Sequence, residues 1–194
     1  MKRFLLTALT VLTPALAQAA PAFLPTRDVA VQYTLSSPGQ TAQNFQLSYD
    51  AASQLARVDS PNGYYVLANL PAGQAQMVVP ALHAIIQAPD FSNLTTEIYQ
   101  AENANFTPLG TGHYAGLDCR KYRVTDKNGS AIACLTPDGV ILHFTGQDAK
   151  GTAELTATSV SYTPQPQERF TAPAGFAPLN LPPGALKALL QPPQ

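Results

Sequence analysis

Tryptophan is absent from this 194-residue chain, and charge is scarce: 11 Lys and Arg stand against 12 Asp and Glu, 12 % of all residues, about half the usual share. So few bases cannot build a phosphate-neutralising surface, which argues against nucleic acid as a partner. There are only two cysteines, and their C-x14-C spacing is neither a redox nor a zinc motif. G-x-S-x-G, H-E-x-x-H and P-loop patterns are all missing. His83, His113 and His143 are too far apart in sequence to form a metal-binding motif. The acids Asp50, Asp59, Asp118, Asp138 and Asp148 fall singly at expected strand ends and turns, where short polar side chains stabilise turns. The sequence therefore offers no catalytic motif, no metal site and no cofactor, and it reads as a non-enzyme. Beyond residue 20 no apolar run is long enough to cross a bilayer.

The first 20 residues, MKRFLLTALTVLTPALAQAA, read as a secretory signal. Lys2 and Arg3 form a basic start, Phe4 to Leu16 an apolar middle, and Ala17-Gln18-Ala19 a cleavage site. No cysteine lies near the cut, so no lipid anchor is expected there. Losing Lys2 and Arg3 with this segment leaves nine bases against twelve acids. The short basic start suits bacterial export, and the expected location is the periplasm.

Hydrophobic residues make up 45 % of the chain, and beyond the signal they alternate with period two, the pattern of half-buried strands. Over 28–36, Val29, Val31, Tyr33 and Leu35 share a face; over 44–50, Phe45, Leu47 and Tyr49 do so. Further strands are expected at 54–60, 64–70, 74–79, 82–87, 105–109, 113–117, 119–125, 130–136, 140–146 and 152–163. Ser37-Pro38-Gly39, Pro61-Asn62-Gly63, Pro71-Ala72-Gly73, Asp126-Lys127-Asn128-Gly129 and Pro137-Asp138-Gly139 separate them. Connections this short join antiparallel strands, because parallel crossovers need a dozen residues or more. The expected fold is mainly β: a curved antiparallel sheet or half-barrel of about ten strands over residues 21–163. One inserted helix is expected near 90–102, where Phe91, Leu94, Ile98 and Ala101 recur at helical spacing. Residues 164–194 hold eight of the 18 prolines and are expected to form a tail partly packed on the domain, with a possible short helix at 184–190.

Cys119 and Cys134 flank the 126–129 turn, and an oxidising compartment favours their disulfide. Symmetric pairing about that turn offsets the two cysteines by one or two residues, so a bulge or a different turn is expected. Arg120, Lys121 and Arg123 form the only basic cluster, read either as a charged strand edge or as a dock for an anionic headgroup or acidic partner.

Several short motifs together resemble the LolA/LolB/LppX-like superfamily of exported bacterial proteins, in particular its uncharacterised periplasmic branch. The strand Asp28–Leu35 and the stretch Gly63–Leu70 followed by Met77-Val78-Val79-Pro80 come first. After the helix come Ala115-Gly116-Leu117-Asp118-Cys119-Arg120-Lys121-Tyr122, Cys134-Leu135-Thr136-Pro137-Asp138-Gly139-Val140, and the ending Phe170-Thr171-Ala172-Pro173-Ala174-Gly175-Phe176. The resemblance covers residues 28–176. Two features depart from it: the chain has no lipoprotein cysteine and only one clear mid-chain helix. The resemblance implies a half-barrel with a helix at its mouth and an apolar interior able to hold an acyl chain. The residues expected to line that groove are Tyr33, Phe45, Leu47, Tyr49, Met77, Ile86, Phe91, Leu94, Ile98 and Phe144. The same set also reads as an ordinary packed core. The expected function is periplasmic binding of a lipid or other hydrophobic ligand. The alternative is an interaction or sensor module for another envelope protein, with a filled core and no small-molecule ligand.

Overall fold

The computed structural model describes residues 21–87, 104–126, 129–148 and 151–182. Twelve strands are described. They are β1 (Val29–Ser36), β2 (Gln43–Asp50), β3 (Leu55–Asp59), β4 (Tyr65–Asn69), β5 (Gln74–Val79), β6 (Ala84–Gln87), β7 (Asn105–Tyr114), β8 (Leu117–Asp126), β9 (Gly129–Leu135), β10 (Ile141–Asp148), β11 (Gly151–Ser161) and β12 (Ala177–Asn180). All belong to one open curved sheet in the order β12-β6-β5-β4-β3-β2-β1-β11-β10-β9-β8-β7. Two meanders, β1 to β6 and β7 to β11, are joined by antiparallel pairing of β1 with β11. Every neighbouring pair is antiparallel except β12 with β6.

The turns account for the meanders. Gly63, Gly73 and Gly139 close three of the expected Pro-x-Gly connections with φ of 79°, 64° and 87°, a backbone region that costs glycine little. The pairing of Asp126 with Gly129 places the β8–β9 turn where it was expected. The mainly β, curved antiparallel architecture is the one expected, with twelve strands rather than about ten and one parallel pair.

Three local differences have physical causes. The expected strands 105–109 and 113–117 are not separate: Leu117 already belongs to β8, and β7 runs unbroken from Asn105 to Tyr114 through a register shift between Pro108 and Gly110. Its turn is Ala115-Gly116, with φ of 50° and 75°, the doubly positive backbone of a tight hairpin. β6 begins at Ala84 rather than 82, because Pro80–Leu82 form one 3-10 turn that ends on left-handed His83. The Pro-rich tail contains a 3-10 turn, Gln167–Phe170, and then β12. The expected helix at 90–102 and the segment 184–190 lie outside the described residues.

Paired residues share a face, so register fixes the core. Val29, Val31 and Tyr33 lie opposite Tyr49, Leu47 and Phe45. Buried Val29, Val31, Tyr33 and Tyr49 form one cluster with Leu70, Val140, Leu142, Ala157 and both cysteines. Farther along, Val66 pairs with Met77 and Met77 with Ile86, and these three form a second cluster with Leu181. β4 and β5 are apolar on both faces: Tyr65, Leu67 and Val78 point the other way and are met by Ile85, Ala172 and Phe176. A strand covered on both sides reads as a near-continuous apolar run. Each such buried side chain contributes about 1.5–3 kcal/mol.

Two straps hold the sheet. The N-terminal strap, residues 21–27, lies against the β9–β10 turn. The Thr26 amide donates to the Asp138 carbonyl at 2.9 Å, and the Arg27 guanidinium pairs with the Asp138 carboxylate at 2.6 Å while lying 3.6 Å over the Tyr162 ring. The C-terminal strap, residues 163–176, crosses the other face. The Gln165 amide donates to Asp28 at 3.0 Å, Gln167 donates to Asp50, and Arg57 donates to the Arg169 carbonyl at 3.2 Å. Arg57 also pairs with Asp59 at 2.6 Å and lies 3.7 Å over the Tyr65 ring.

Candidate functional site

Where β3 to β6 end, the sheet and the C-terminal strap border an open cleft of roughly 690 Å³, within the size range of small-ligand sites. Its position follows from register. Across the β4–β5 hairpin, Leu67 pairs with Gln76, Ala68 with Ala75 and Asn69 with Gln74, while Leu55 of β3 pairs with Asn69. Ala68 and Ala75 also line it, and Phe170 of the 3-10 turn with Asn180 and Leu181 at the β12 end completes the walls. Leu55, Leu67, Ala68, Ala75, Phe170 and Leu181 supply apolar surface. Asn69, Gln74, Gln76, Gln87 and Asn180 supply side-chain carboxamides. No charged side chain is among these lining residues. A carboxamide donates and accepts without carrying charge, so this arrangement suits a neutral or amphipathic molecule with an apolar body.

A second cleft, roughly 450 Å³, lies between Pro21-Ala22 and β7 to β9, lined by Thr111, Asp118, Cys119, Arg120, Tyr122, Leu135, Thr136 and Pro137.

The residues expected to line a groove are divided. Tyr33 and Tyr49 are buried in the first core cluster, with Leu47 packed against it. Met77 and Ile86 are buried in the second. Phe45 and Phe144 are half-buried, and Phe91, Leu94 and Ile98 lie outside the described residues. None of the seven described residues lines either cleft. Tyr33 spans from β1 to donate its hydroxyl to the Ile141 carbonyl at 2.7 Å, and burial, followed by the nearby Tyr162, pushes its pKa up. The cleft residues were not singled out from the sequence. Asn69, Gln74, Gln76 and Gln87 look there like strand-end solubilisers, and only knowledge of the strap over them reveals a shared site.

The acids serve the framework. Asp28 accepts from the amides of Ala51 and Gln165, each at 3.0 Å. Asp50 accepts from the Ala52 amide at 2.9 Å. Burial pushes the Asp50 pKa up, but hydrogen bonds from Ser53, Gln167 and Ala52 outweigh it, and the net shift is down. At Asp138 burial is likewise outweighed by the Thr136 hydroxyl, the Arg27 guanidinium and the Tyr162 hydroxyl. Among the described residues no group of three or more His, Cys, Asp and Glu is placed to hold a metal ion. His113 meets Asp118 at 2.7 Å, and His143 meets Glu154 at 3.0 Å while stacking on Tyr114; these are separate pairs. Among the described residues no helix is long and apolar enough to cross a membrane.

No family model matches the chain, and no curated protein matches its sequence at a significant level. Solved structures do match. An uncharacterized conserved protein from Thermus thermophilus aligns over 80 % of this chain and 91 % of its own, with TM-score 0.57 and 11 % identity. A structure of the Pseudomonas aeruginosa MucA/MucB complex aligns over 76 % of this chain with TM-score 0.53 and 13 % identity. This chain spans 56 % of the matched chain in that complex. A LolA superfamily protein from Nitrosomonas europaea is also matched, over 77 % of this chain and 92 % of its own, with TM-score 0.37 and 10 % identity. At these identities the likeness is one of fold. What is shared with the first two is an open, curved, mostly antiparallel sheet, the curved half-barrel expected from the sequence.

Proposed function

We propose that this is an exported, periplasmic, non-enzymatic protein that holds an apolar or lipid-like molecule in the cleft between the β3–β6 ends and the C-terminal strap. The observation that carries this reading is the cleft itself: apolar walls from Leu55, Leu67 and Phe170, five carboxamides and no charge. The apolar walls would take a hydrocarbon chain and the carboxamides an uncharged polar group beside it. Export is supported by the signal-like first 20 residues, and the Cys119–Cys134 disulfide suits an oxidising compartment.

The test is to recover the processed protein from a bacterial periplasm, extract it with organic solvent and identify co-purified molecules by mass spectrometry. A stoichiometric lipid-like species that is lost in a Gln76→Trp variant, which sets a larger side chain beside Leu67 in the cleft wall, supports the reading. An empty extract, with no response to a hydrophobic fluorescent probe, overturns it.

A further inference from the structure

The basic cluster on β8 lies away from the β3–β6 cleft, and only Arg120 of the three also borders the second cleft beside Pro21-Ala22. Arg120 and Arg123 are exposed, Lys121 is half-buried, and among the described residues none of the three forms an ion pair. Beside them runs β7, the last strand of the sheet. Its ten residues, NFTPLGTGHY, are mostly exposed, and along its outer side no strand is paired among the described residues. An unpaired edge is a template for another strand.

Edges are commonly protected by placing charge on the edge strand itself. Here β7 carries no Lys, Arg, Asp or Glu, and the bases sit one strand inward. The β7 residues opposite them are small: Thr107 faces Arg123, Gly110 faces Lys121 and Thr111 faces Arg120. At Gly112 a Cβ would come within 2.8 Å of Cε of Lys121, so the lysine stem lies across β7 where only glycine leaves room. Leu109 and Ile132, 43 % and 38 % exposed, add apolar surface on the same two hairpins.

From this arrangement we propose that the β7 edge binds an extended acidic segment of another protein, which adds as a strand and meets Arg120, Lys121 and Arg123. Backbone pairing would give affinity and the bases would select charge. The placement of the bases chooses between partners. Alternation along β8 puts Arg120 on one side of the sheet and Lys121 and Arg123 on the other. A flat anionic membrane meets only one side, whereas an added strand projects side chains to both.

Peptide selection tests this with the exported, processed chain as bait and a random peptide library as probe. Enriched peptides should be acidic and should bind less tightly by about tenfold or more to an Arg120→Gln/Arg123→Gln double variant whose thermal unfolding is unchanged. N-methylation of alternate peptide amides should abolish binding in one register and spare it in the other. Failure to enrich any peptide, enrichment without acidic residues, or indifference to N-methylation overturns the proposal. So does binding of the bases to phosphatidylglycerol vesicles without peptide binding. The cleft is read out separately by solvent extraction, so either site can fail alone.

Discussion

Cys119 is bonded to Cys134, yet the residue paired opposite Cys134 is Lys121. The bridge is diagonal, two residues off register, and β8 and β9 pair without a bulge. An offset of two keeps both side chains on one face, and right-handed twist shortens one diagonal of a strand pair, here to a Cα separation of 5.4 Å. The bulge or altered turn expected from the sequence is therefore not needed.

The bridge closes a short loop, with a sequence separation of 15. In the chain-entropy model it contributes about 3 kcal/mol. Urea unfolding of the oxidised protein and of a Cys119→Ala/Cys134→Ala variant should differ by about that amount. Two free thiols under denaturing, non-reducing conditions would contradict the bond.

Gly139 makes the N-terminal strap possible. Its φ is 87°, and a Cβ there would run into the Leu24 carbonyl. Gly139→Ala should destabilise the protein by about 1–3 kcal/mol and speed proteolysis within residues 21–27. Unchanged cleavage would show that the strap tolerates a side chain there.

The same turn should confer acid sensitivity. The folded state holds the Asp138 carboxyl below its ordinary value, so its stabilisation is present above the unfolded carboxylate pKa near about 4. That stabilisation is lost as pH falls through the lower folded pKa. Wild type should lose stability on acidification below about pH 4, and Asp138→Asn should be less stable at neutral pH with a flatter acid limb. Parallel acid limbs for the two proteins would contradict the assignment.

Phe170 anchors the C-terminal strap and is 8 % exposed. Phe170→Ala should cost about 3 kcal/mol and open one wall of the cleft. Hydrogen exchange should rise at β12 and β6, whose parallel pairing follows the strap. Exchange unchanged at β12 would show that its pairing holds without this anchor.

The strands were legible because alternation and Pro-x-Gly turns are local signals. Val29, Val31 and Tyr33 announce a buried face, and Gly63 and Gly139 close hairpins, with no help from distant residues. β12 was not legible. Ala-Pro-Leu-Asn has no alternation to detect, and it becomes a strand only because the strap delivers it to the free edge of β6. The cleft is hidden for the same reason: Gln74 and Phe170 come to line one cleft only through long-range packing, and neither carries a local mark of binding.

The most direct measurement is mass spectrometry of an organic extract of the processed protein purified from a periplasm, beside Gln76→Trp. Ligand binding in the cleft requires a lipid-like molecule near one per protein in the wild type and its loss in the folded variant. An empty wild-type extract, or equal loading of both proteins, would contradict it.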